Sequence, residues 1–144
     1  SGWILLGWAK PLPYNPFNLK NPKRGAGLIA AVGPVTNLSI AIVFGALVRT
    51  LVSSNIGSEP LIFLLNIVIL INVSLSIFNL LPIPPLDGSG ILFSLIPDHA
   101  RGVMDFLSRY GMILLLFVIF FGFPILHPLI IGLYSFIAGP AALF

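Results

Sequence analysis

The sequence predicts an all-α integral membrane protein: one polytopic domain of three to four transmembrane helices, with a further half helix set off by prolines. Composition is the first reason. Of 144 residues, 58% are hydrophobic and 8% are charged, whereas a soluble domain is about 45–50% apolar and about 25% charged. So little charge cannot cover a water-facing surface. The second reason is that residues 25–48, 60–86 and 110–144 contain no Asp, Glu, Lys or Arg, and about 20 apolar residues cross a hydrocarbon core of about 30 Å. The third is the run Pro82-Ile83-Pro84-Pro85, which must end any helix before it, because an internal Pro removes a donor and clashes with the preceding turn. The composition argues against a soluble enzyme and a disordered tail. The net charge of +3 sits in a few clusters beside apolar spans, so no nucleic-acid partner is expected. With no Cys, these residues offer no disulfide, thiolate ligand or Cys nucleophile.

The chain opens Ser1-Gly2-Trp3 without Met, so a processed or truncated piece of a longer protein is expected. The apolar stretch 3–9 is too short to span and lacks the basic start of a signal peptide; it reads as the tail of a membrane helix. Residues 11–22, PLPYNPFNLKNP, hold four Pro and three Asn. Proline also disfavours helix in the residue before it, so an extended or re-entrant segment is expected over 11–24. Transmembrane helices are predicted over 25–50, 60–81 and 104–123, and a half helix over 88–96. A break between Pro124 and Pro128 would separate a further possible helix at 129–144. Lys10, Lys20, Lys23 and Arg24 precede the first span, and Arg101 and Arg109 follow the second, while 53–58 carries no basic residue. The positive-inside rule places 10–24 and 98–109 in the cytoplasm. Arg49 is the exception, and it can snorkel from a helix end.

A few polar residues inside the spans need a reason. Asn72, Ser76 and Asn79 fall at i, i+4 and i+7 on one helix face, suited to interhelical hydrogen bonds or to lining a polar channel. Gly33 and Asn37 form a similar pair, a small residue for close approach and a donor–acceptor one turn on, and Pro34 frees a nearby backbone carbonyl. The sharpest feature is Asp87, the only acid between Glu59 and Asp98, placed between the proline run and Gly88-Ser89-Gly90. A carboxylate at membrane depth needs a partner or a watery cavity. Three readings stay open: an N-cap of the half helix, an ion or proton site at a broken helix as in transporters, or a metal ligand. His99 and His127 lie far apart, and neither belongs to an HExxH; neither is expected to bind metal.

The blocks GWAKPLPYNPFNLKNPKRG, GPVTN and FNLLPIPPLDGSGIL together resemble the site-2 protease family of intramembrane zinc metalloproteases, over roughly residues 7–96 and in the family's order. The resemblance implies a zinc cofactor, with Asp87 as the third zinc ligand. It implies that Asn79 helps to hold substrate backbone, and that Gly33 and Asn37 stand close to the active site. Residues 11–22 correspond to a membrane-associated strand or loop. The family's HExxH, which supplies two His ligands and the catalytic Glu, is absent from this sequence, so these residues are expected to contain no catalytic group and to form a C-terminal portion, with HExxH upstream. The partners implied are transmembrane protein substrates and the lipid bilayer, in a prokaryotic plasma membrane. Oligomeric state, substrate and cleavage site are not predicted. The competing functions are a non-catalytic family member and a transporter or channel subunit with a broken-helix ion site, although no second PPLDG-like break marks the repeat common in transporters.

Overall fold

Chain in lipid must satisfy its backbone hydrogen bonds as a helix or a closed barrel, and charge-free apolar runs of about twenty or more residues suit the helix. The computed structural model describes residues 22–143, and every regular element among them is helical: α1 (Pro22–Ser53), α2 (Glu59–Asn79), α3 (Asp87–Leu95), α4 (Arg101–Phe121) and α5 (Phe123–Ala138), with short 3-10 turns at Asp98–Ala100 and Gly139–Ala141. Four helical runs, Lys23–Ser53, Glu59–Asn79, Asp98–Phe121 and Phe123–Ala141, are long and apolar enough to cross a membrane. The all-α membrane fold is as expected, and the chain is a multi-pass membrane protein.

The expected boundaries change most in three places, apart from α1 running on to Ser53 rather than 50 and α4 starting at Arg101 rather than 104. Residues 11–21 of the expected extended segment, like the stretch 3–9, lie outside the described residues, but 22–24 open α1 instead of continuing that segment. Proline is favoured at the first helical position, where its missing N–H has no partner to lose. The second span stops at Asn79 rather than 81, because Pro82 disfavours helix in the residues leading to it. The expected break between Pro124 and Pro128 falls instead at Gly122, and α5 runs through both prolines. Pro124 sits in the first turn, where no helical bond is lost, and Pro128 forfeits only the bond to the carbonyl of Pro124. A helix over Phe123–Ala138 therefore replaces the one expected over 129–144.

The described chain packs as two compact units, residues 22–33 with 79–120 and residues 34–78 with 121–143. In the second unit α1 ends in a Schellman motif. Asn55 takes the left-handed conformation (φ 54°), Ile56 N–H donates to Leu51 O at 2.9 Å and Asn55 N–H to Val52 O at 3.2 Å, which satisfies the last carbonyls of the helix. Its core is one cluster: Ala41 and Val48 of α1, Leu65, Ile69 and Val73 of α2, Tyr134 and Ala138 of α5, and Ala141. The spacings of four and seven residues put each set on one helix face.

Along α2 the buried polar face differs from the expected Asn72/Ser76/Asn79 stripe. Asn66 and Ser76 are buried, and Asn72 and Asn79 are half-buried. Tyr134 Oη donates to Asn66 Oδ1 and accepts from Leu143 N–H at 2.9 Å, while Asn66 Nδ2 donates to its own helix at Ile62 O, 2.9 Å. Ser76 Oγ donates to Pro34 O at 2.9 Å, and Asn72 Nδ2 back-bonds to Val68 O at 2.9 Å. Ser76 thus serves helix packing, not a water-filled lining. Arg49, the basic residue out of place by charge, donates through Nε to Ile137 O at 2.8 Å and through Nη2 to Phe136 O. It caps the carbonyl end of α5, where a cation is favoured by the helix dipole.

Candidate functional site

The first unit is organised around the proline break. After Asn79 the segment 80–86 makes a compact turn, with Ile83 N–H donating to Leu81 O at 2.8 Å and Leu86 N–H to Ile83 O at 2.9 Å. Leu86 occupies the N-cap position of α3 in extended conformation (φ −74°, ψ 156°). Asp87 is therefore the first residue inside the helix and not its cap, which removes the purely capping reading. No side chain caps α3; Ser89 closes its first turn, its N–H donating to Leu86 O at 3.1 Å and its hydroxyl to the same oxygen at 2.7 Å.

Glycines set how this turn and α3 are packed. A β-carbon on Gly88 would run into the carbonyl oxygens of Leu80 and Leu81, so the backbone folds back on itself only because residue 88 has no side chain. One on Gly111 of α4 would lie 2.6 Å from Pro84 O, so α4 lies directly against the proline run. Along α1, β-carbons on Gly27 and Gly33 would meet Ser94 and Asp87, and one on Gly90 of α3 would stand 2.8 Å from Ala30 Cβ. Gly27, Ala30 and Gly33 share one face of α1, and Asp87, Gly90 and Ser94 share one face of α3. The two helices thus run antiparallel along a seam of small residues, which allow the backbones to approach closely.

Asp87 lies at the end of that seam. The β-carbon that Gly33 lacks would stand 2.6 Å from Asp87 Oδ2 and 3.7 Å from Cγ. The half-buried carboxylate has no hydrogen-bond or ion-pair partner among the described residues. Of the expected site residues, the structure therefore brings Gly33 and Asp87 together across 54 positions of sequence. Asn79 closes α2, half-buried, eight residues before Asp87, and Asn37 is a half-buried residue one turn beyond Gly33 on α1; neither amide has a hydrogen-bond partner among the described residues. His99 is exposed in the 3-10 turn, and exposed His127 packs its ring against Phe123 at 5.3 Å.

A hard carboxylate oxygen is a suitable zinc donor, but zinc takes three or four protein ligands. Among the described residues no three His, Cys, Asp or Glu come together, so these residues do not by themselves make a zinc site. Sequence reasoning singled out Asp87 and Gly33, which the structure sets side by side, but not the packing of Gly27, Gly88, Gly90 and Gly111. Their signal, glycine recurring at helical spacing beside a proline run, has meaning only once the facing element is known.

Comparison with known proteins adds to this geometry. The sequence profile of Peptidase family M50 matches residues 50–121, half of the chain. A Bacillus subtilis (strain 168) protein named "Putative zinc metalloprotease YwhC" is 37% identical over 134 residues, covering 86% of this chain and 60% of its own length. A Campylobacter jejuni protein named "Putative zinc metalloprotease Cj1068" is 38% identical over 82 residues, covering 54% of this chain and 22% of its own. The chain thus spans less than two thirds of the length of either relative. No solved structure is a significant match.

Proposed function

Since the chain belongs to peptidase family M50, the site-2 protease family, we propose that it is part of an intramembrane zinc metalloprotease core and that Asp87 supplies one carboxylate ligand to the metal. The observation that carries the reading is the seat of Asp87 itself. Its carboxylate lies against Gly33 at the first turn of a half helix, without a partner among the described residues, and a carboxylate inside a membrane protein needs one. The remaining ligands and the general base belong to an HExxH elsewhere in the whole protein, as the resemblance implies. When bound, zinc would supply Lewis-acid polarisation of a carbonyl and a water of lowered pKa.

The chain's own residues have separate tasks in this reading. Asp87 offers an oxygen donor, Gly33 leaves room for it, and Gly88 and Gly111 hold the unwound segment 80–86 in place. Transmembrane substrates are the proposed partners, and Asn79, at the start of that segment, pairs with substrate backbone exposed by local unwinding. The Lys23 ammonium meets Asp98 at 3.4 Å, so the start of α1 and the turn before α4 lie at one end of their unit; this supports a common side for basic segments 10–24 and 98–109, cytoplasmic by the positive-inside rule.

Zinc content of the full-length protein purified in detergent tests the reading. Wild type is expected to hold about one zinc per chain, and Asp87→Ala to lose most of it while its thermal unfolding stays cooperative. Unchanged zinc in a folded Asp87→Ala protein, or no zinc in folded wild type, would refute the assignment.

A further inference from the structure

The α1–α3 seam seats small side chains in glycine notches, Ser94 at Gly27, Ala30 at Gly90 and Asp87 at Gly33. These are van der Waals contacts without direction, whereas the Asp87 carboxylate stands at one particular level of α1. A slip of α3 by one residue would move it about 1.5 Å along the axis and turn its facing side by about 100°, taking the carboxylate off Gly33. Directional contacts stand at the far end of the seam. Lys23 Nζ donates to the carbonyl of Ile96, the C-cap residue of α3, and reaches Asp98 Oδ1 at 3.4 Å. The distances along the two helices match: Lys23 to Gly33 spans about 15 Å of α1, and Ile96 to Asp87 about 14 Å of α3. A bond at Ile96 therefore sets where Asp87 arrives.

We propose that Lys23 is a positioning residue that fixes the register of α3 on α1 and so holds the Asp87 carboxylate beside Gly33; the proposal rests on the reading of Asp87 as a metal ligand. The carbonyl contact carries the effect. The ion pair contributes little, because the Asp98 side chain is 99% exposed and exposed pairs are screened by water. Lys23 is also suited to the end of α3, where its charge meets the carbonyl pole of the helix.

The test uses the full-length protein in detergent with two readouts, backbone hydrogen exchange of 88–96 in chelator-treated protein and zinc affinity by chelator competition. Lys23→Met, which keeps the apolar stem, is expected to speed exchange in 88–96 and to weaken zinc about tenfold, as loss of an orienting partner does. Lys23→Arg restores both, and Asp98→Asn behaves as wild type. Wild-type zinc affinity in Lys23→Met, or failure of Lys23→Arg to restore it, overturns the proposal. If Asp87→Ala leaves zinc unchanged, the ligand reading fails separately; unchanged exchange of 88–96 in Lys23→Met then overturns the role of Lys23 on its own account.

Discussion

Replacing Gly33 by Ala separates metal geometry from folding, because the two effects have different signs. The new β-carbon would lie 2.6 Å from Asp87 Oδ2, whereas real β-carbons essentially never come within 3.0 Å of another heavy atom and make ordinary contacts from 3.4 Å. The carboxylate must therefore withdraw by roughly 0.4–0.8 Å, beyond the tolerance of about 0.2 Å in a metal–ligand distance. Displacing a ligand in this way resembles loss of an orienting partner, which weakens metal binding about 10–100-fold, or about 1.4–2.7 kcal/mol. Folding is expected to change little. Ala is favoured over Gly in a helix by about 0.5–1 kcal/mol, and crowding against Pro34 offsets part of that gain. Chelator competition on the full-length protein measures the first effect and thermal unfolding of metal-free protein the second. Wild-type zinc affinity in Gly33→Ala would refute the reasoning, as would a loss of affinity matched by an equal loss of stability.

Two further substitutions probe the frame around the site. Gly88→Ala drives a methyl group into the backbone carbonyls of Leu80 and Leu81, which cannot rotate aside; it is expected to destabilise by about 1–3 kcal/mol, and a melting temperature equal to wild type would show that the turn is not so packed. Tyr134→Phe removes the hydroxyl shared by Asn66 Oδ1 and Leu143 N–H, which takes from the buried Asn66 oxygen its donor, at about 1–3 kcal/mol. Equilibrium unfolding in detergent checks it, with zinc affinity of the folded fraction unchanged.

The fold was legible because lipid makes helix formation a local matter. Charge-free stretches announced α1, α2 and α4, and Pro82, Pro84 and Pro85 announced the break before Asp87. Asp87 stood out because an acid between two apolar segments is costly and therefore rare. The break between α4 and α5 was misread at Pro124 and Pro128, since a proline's effect depends on which turn of the helix it occupies, and that is known only once the helix start is known. The stripe Asn72/Ser76/Asn79 was read correctly as one helix face but not as the buried one. That face is centred on Asn66, Ile69, Val73 and Ser76.

By itself the sequence determined the class of protein, three of its long apolar helices, the place of the unwound segment and the candidate carboxylate. Each follows from composition or from spacing along one helix, where the energies are those of hydrocarbon insertion and backbone hydrogen bonding. Only the tertiary structure decided which faces meet. In a membrane, lipid tails and helix interiors are equally apolar, so hydrophobic periodicity does not mark the packed side. The approach of Gly33 to Asp87, the clasp of Lys23 on Ile96 and the Tyr134–Asn66 bond each join residues more than fifty positions apart, and no local energy in the chain specifies them.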